Sequence, residues 1–78
     1  MDQEAELQKA FQRGLGLNSS IDYASLEFSK TAQWDSIAHM RLVAAVEESF
    51  NIRLSIDDIL GMSSYPVASK IVAKHLKT

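Results

Sequence analysis

The apolar residues of this chain recur at helical spacing, and that periodicity points to a bundle of helices without a sheet. Leu7, Ala10, Phe11 and Gly14 fall at i, i+3, i+4 and i+7, one face of an amphipathic helix. Asp2, Glu4 and Glu6 open it and Arg13 stands near its end, the order that suits the helix dipole; Gly14 and Gly16 are expected to stop it. Ile37, Met40, Val43, Ala44, Val46 and Phe50 form a longer stripe, which begins after the N-cap residue Asp35 and ends at Asn51. Ser55-Ile56-Asp57-Asp58 reads as a capping-box start for a short helix over Ile56, Ile59 and Leu60, ended by Gly61. A last helix is expected from Ser63 or Ser64, with Pro66 in its first turn, where a missing N–H costs nothing. Its inner face would hold Val67, Ala68, Ile71, Val72, His75 and Leu76.

Between Leu15 and Trp34 no period is clean. Leu17, Ile21, Leu26 and Phe28 can fold this long loop back onto the helices, and a short helical turn within residues 19–26 would be capped by Ser19 or Ser20. The expected fold class is therefore all-α: a small four-helix bundle of three principal helices and one short one, with a long first loop, in a single domain over residues 1–78.

Composition removes several functions. The chain has no cysteine, hence no disulfide framework and no thiolate metal site, and His39 and His75 have no partner at metal-ligand spacing. Two remote histidines and scattered carboxylates do not assemble a nucleophile, a base and an orienting group, so no catalysis is expected. A net charge of −2 is the wrong sign for a nucleic-acid partner. The opening residues are acidic and carry no apolar signal core, and no apolar run nears the ~20 residues of a membrane span. A monomeric protein of the cytoplasm, without a membrane partner, is the expectation. Within the chain, residues 35–60 carry Asp35, Glu47, Glu48, Asp57 and Asp58 against Arg41 and Arg53, an excess of −3 that predicts basic partners there. Residues 61–78 balance it with Lys70, Lys74 and Lys77, cations that suit a helix C-terminus.

The segment that carries chemistry is Trp34-Asp35-Ser36-Ile37, followed by His39-Met40-Arg41-Leu42-Val43 and then Glu47-Glu48-Ser49-Phe50-Asn51-Ile52. Taken alone, Asp-Ser before an apolar run is also the commonest way to start a helix, which leaves open an unmodified helical interaction module. In residue types, spacing and chain length, however, the segment resembles the acyl carrier and peptidyl carrier protein family, whose modification site is Asp-Ser-Leu at the start of the second helix. The resemblance covers most of the chain. It implies a 4'-phosphopantetheine arm on Ser36, with Asp35 capping the turn and lying beside the transferase's metal site, and Ile37 completing the motif next to the arm. Met40, Arg41, Glu47 and Glu48 would belong to the partner-binding helix. The partners implied are a phosphopantetheinyl transferase, an acyl- or aminoacyl-loading ligase, and a downstream acyltransferase or condensing enzyme. Because the chain has no cysteine, the thiol of the arm would have no internal competitor.

Neighbouring residues have plainer readings. Trp34 is expected as a core wedge and His39 as a solvated histidine, while Met40 and Ala44 either line a channel for an acyl chain or pack the core. Gln33-Trp34 before the motif, and Ala38 and Arg41 where fatty-acid carriers have acidic residues, set the chain apart from housekeeping fatty-acid carriers. They point to a dedicated carrier in polyketide, aminoacyl or surface-polysaccharide acyl transfer.

Overall fold

A computed structural model describes residues 3–17 and 21–76. Four α-helices occur among them: α1 (Gln3–Leu15), α2 (Ser36–Phe50), α3 (Ile56–Gly61) and α4 (Tyr65–Leu76). A single 3-10 turn, Tyr23–Ser25, interrupts the long first loop. No helix among these residues is long and apolar enough to cross a membrane.

α1 buries the expected face, Leu7, Ala10, Phe11 and Gly14, together with Leu15. Gly14 does not stop the helix. It lies within α1, where a Cβ would sit 2.6 Å from the Cα of Leu42 and 2.9 Å from its nitrogen. The missing side chain is what lets α1 and α2 approach backbone to backbone, and α1 packs most extensively against α2. The stop is Gly16, at φ +68°, with Leu17 N–H donating to the Gln12 carbonyl at 3.1 Å.

The loop folds back as its apolar residues demand. Leu26 is buried, and Leu17, Ile21, Tyr23 and Phe28 pack against the core. The 3-10 turn is capped by Asp22, whose Oδ1 accepts from Ala24 N–H at 3.1 Å. Ser19 and Ser20, the caps expected there, lie outside the described residues, as does Lys77. Phe28 N–H donates to the Ser63 carbonyl at 2.8 Å and Glu27 bridges to Ser64, pinning the loop to the entrance of α4. Trp34 is fully buried, edge-on to Phe11 with ring centroids 5.4 Å apart, as the core reading expected.

The inner face of α2 differs from the expected stripe. Ala38, Leu42, Val43 and Val46 are buried, whereas Ile37 and Met40 are 70% and 57% exposed, Ala44 is exposed and Phe50 is only half-buried. Residues 37–46 are apolar at nearly every position, so periodicity alone could not orient the helix. The close approach at Gly14 does: it turns the Ala38–Leu42–Val46 row (i, i+4, i+8) toward α1. The helix ends on Asn51 in the left-handed region, whose N–H donates to the Glu47 carbonyl.

α3 likewise exposes two of its expected core residues, Ile56 and Leu60, and packs through Ile59 and the flanking Leu54 and Met62. Only six residues long, it has too few turns to bury a full apolar face. α4 starts after Ser64, whose Oγ accepts from Val67 N–H at 3.4 Å. It buries Tyr65, Ala68 and Val72 and half-buries Val67, Ile71 and His75, while Leu76, expected inside, is 43% exposed.

The Gly14 contact is open to a direct test. In an exposed helix Gly→Ala stabilises by about 1 kcal/mol. Here the added methyl meets helix backbone, and Gly14→Ala should instead destabilise by roughly 1–3 kcal/mol in urea unfolding. A gain in stability would show that α2 can move aside.

Candidate functional site

Ser36 is the first residue of α2 and is exposed. Asp35 precedes it in extended backbone (φ −99°, ψ −173°), and its Oδ1 accepts from Ala38 N–H at 2.8 Å. His39 N–H closes the first turn on the Asp35 carbonyl at 2.8 Å. The N–H groups of Ser36 and Ile37 have no intrahelical acceptor, as in the first turn of any helix. The hydroxyl of Ser36 therefore stands in solvent beside free donors and the positive end of a 15-residue helix. That environment favours an oxygen that acquires an anionic group.

Trp34 and His39, on either side of Ser36 in sequence, form a hydrogen-bonded relay beneath it. The indole N–H can only donate, and it does so to Nδ1 of His39 at 2.9 Å. The imidazole is thereby held as the tautomer with its hydrogen on Nε2, which donates to the Ile59 carbonyl at 2.7 Å. The ring is half-buried, nearly coplanar with Trp34 and joined to it edge to edge, and packed against Phe28, and is not the solvated histidine expected. It satisfies a C-terminal carbonyl of α3 from a neighbouring helix. The relay thus fixes where α3 lies relative to Ser36. A buried tryptophan immediately before the helix, needing an acceptor for its N–H, was the sequence signal for this partner.

A second set of bonds holds the other end of α3. Ser55 and Asp58 form the expected capping box, with Asp58 N–H donating to Ser55 Oγ at 3.1 Å. Asp58 is buried, and its carboxylate also accepts from Lys74 Nζ at 2.8 Å and from His75 Nε2 at 2.7 Å, both on α4. These donors, Lys74 first, hold the Asp58 carboxyl well below the usual carboxylate range, against the opposing effect of burial. Lys74 is therefore an ion-pair partner as well as a cation at a helix end, and His75 faces Asp58 rather than apolar core.

The other candidates separate. Ile37, Met40 and Arg41 are exposed on the outer side of α2, so Met40 and Ala44 neither pack the core nor line an interior channel. Ala38 is buried and contributes no surface, against the expectation that it replaces an exposed carboxylate. Glu47 is half-buried, its Oε2 accepting from Leu54 N–H at 2.8 Å, and Glu48 is ion-paired with Arg13 at 3.3 Å. At the far end of α2 from Ser36 lies an open groove of about 310 Å³ lined by Gln3, Glu6, Ser49, Phe50 and Leu76. No cluster of three or more metal-ligating side chains occurs among the described residues. No family model, curated protein or solved structure matches the chain.

The Asp58 clamp has a signed pH dependence. The folded carboxyl binds its proton less readily than the unfolded one, whose pKa is about 3.9. The clamp's contribution is thus fully present above about pH 4 and is lost as the pH falls through the lower folded value. Asp58→Asn should lower stability at pH 7 by roughly 1–3 kcal/mol and flatten its fall between pH 5 and pH 2 in acid-unfolding curves. An unchanged acid limb would remove Asp58 from this role.

Proposed function

We propose that the chain is a carrier protein that takes a 4'-phosphopantetheine arm on Ser36 and presents acyl or aminoacyl groups, as thioesters on that arm, to partner enzymes. One observation carries the reading: an exposed serine at the first turn of a long helix, capped by the preceding aspartate and bordered by exposed apolar residues. It is supported by the resemblance of the surrounding segment, Asp35-Ser36-Ile37 through Glu47-Glu48-Ser49-Phe50, to carrier proteins.

In this reading the Ser36 hydroxyl attacks the pyrophosphate of coenzyme A on a phosphopantetheinyl transferase. A phosphodiester to Ser36 Oγ forms, the nucleotide bisphosphate leaves, and the hydroxyl proton passes to a base of the transferase. The carrier supplies position: Asp35 fixes the first turn, and the free N–H groups with the helix dipole favour the new phosphate. Catalysis belongs to the partners, namely the transferase, a loading ligase, and an acyltransferase or condensing enzyme. Arg41 on the exposed side of α2 favours dedicated enzymes over those of housekeeping fatty-acid elongation. A cytoplasmic site of action goes with this reading.

Incubation with coenzyme A, magnesium and a broad-specificity transferase should add the mass of one phosphopantetheinyl unit. Ser36→Ala should gain none while keeping its helical circular dichroism, since the residue is exposed and the cap is Asp35. No mass gain in the wild type, or label on Ser25, Ser55 or Ser63, would overturn the assignment and favour the unmodified interaction module.

A further inference from the structure

The chain has two histidines, and both are bonded to α3: His39 to the Ile59 carbonyl and His75 to the Asp58 carboxylate. They answer a proton in opposite ways. An ionised carboxylate only accepts, so Nε2–H of His75 already donates to Asp58 at 2.7 Å. A proton on the other nitrogen of His75 adds charge to a bond already made and strengthens it.

His39 has no nitrogen to spare. Its Nδ1 accepts the Trp34 indole N–H at 2.9 Å, and its Nε2–H is given to Ile59 at 2.7 Å. A proton can be added only at Nδ1, where it would point at the indole hydrogen. Two donors cannot face each other at that distance, so one ring must leave. Trp34 is fully buried, edge-on to Phe11 and Phe28. His39 is half-buried beside the exposed Met40, and a change of rotamer takes its ring to solvent. The bond to Ile59 is made by the same ring and is lost with it.

No charged side chain holds the protonated ring in place. On α2 the Asp35 carboxylate accepts from Ala38 N–H and Arg41 is exposed, and on the loop Glu27 pairs with Lys30. On α3 Asp57 is exposed and Asp58 pairs with Lys74 and His75. None of these groups is bonded to His39.

We infer that the Trp34–His39–Ile59 relay is a proton-operated latch, closed while His39 is neutral and opened when Nδ1 takes a proton. Opening frees the C-terminal end of α3, while the Asp58 clamp keeps its start. The relay's contribution is fully present above the range in which imidazoles titrate, about pH 5 to 8, and is lost as the pH falls through it. The clamp persists to lower pH, so within that window α3 pivots on its first turn. The latch goes beyond the carrier reading and takes nothing from it.

NMR of the unmodified full chain, titrated from about pH 8 to about pH 5, tests it. Trp34 is the only tryptophan, so its indole N–H is a single signal. As the His39 ring takes up its proton, that signal should lose its hydrogen-bonded shift. It should also exchange at least about tenfold faster, relative to its intrinsic rate. The Met62 amide, which donates to the Ile59 carbonyl, should follow it, while the Asp58 amide in the capping box stays protected. His75→Gln should leave this step in place. His39→Asn, whose amide oxygen can accept from the indole but takes no proton in this range, should abolish it. The inference is overturned by an indole that keeps its bonded shift while His39 titrates, by a ring still neutral at about pH 5, or by a step that follows His75 instead. Should His39→Asn fail to fold, the paired titration of ring and indole in the wild type decides alone. The carrier reading stands or falls separately on the mass gained at Ser36.

Discussion

Burying an indole obliges the fold to find an acceptor for its N–H, and much of this structure follows from where Trp34 finds one. The ring is fully enclosed, edge-on to Phe11 of α1 and to Phe28 of the loop, so it ties the first helix and the long loop to the entrance of α2. Its N–H donates to Nδ1 of His39, and His39 donates its own Nε2–H to the Ile59 carbonyl of α3. An unpaired N–H at this depth would cost on the order of 1–3 kcal/mol, a large share of the stability of so small a domain. The relay is therefore a packing requirement with a consequence at the surface, because it sets the position of α3 beside Ser36.

α3 itself has little intrinsic reason to persist. Six residues form barely more than one turn beyond nucleation, and two of its apolar side chains face solvent. It is held at its start by the capping box and the Asp58 clamp to α4, and near its end by His39. Hydrophobic burial contributes through Ile59 and the flanking Leu54 and Met62. Polar attachment at both ends leaves Ile56 and Leu60 free to form surface rather than core. The same clamp buries the Asp58 carboxylate against Lys74 and His75, so that this charge is paired within the fold.

Much of the fold was legible in the chain. The helix positions, the Asp35 cap, the capping box at Ser55 and Asp58, and the inward fold of the loop follow from local hydrogen-bonding chemistry and apolar periodicity. The inner face of α2 was not, because an almost uniformly apolar run from Ile37 to Val46 has no preferred side until a neighbour supplies one. Gly14 supplied it, and the same contact explains why that glycine sits within a helix that it was expected to end. His39 was misjudged for a related reason: whether an imidazole is solvated depends on what packs around it, and Phe28 and Trp34 reach it only after the loop has folded back.

The sequence by itself determined the all-helical class and the exposed start of α2 at Asp35-Ser36, since both rest on interactions within a few residues of one another. Tertiary structure alone decided which side of α2 faces outward, that Asp58 is paired with Lys74 and His75, and how α3 is placed beside Ser36. Each of these depends on groups from different helices meeting at van der Waals or hydrogen-bond distance. Spacing along a chain specifies such contacts only where its pattern is polarised, and between Ile37 and Val46 it is not.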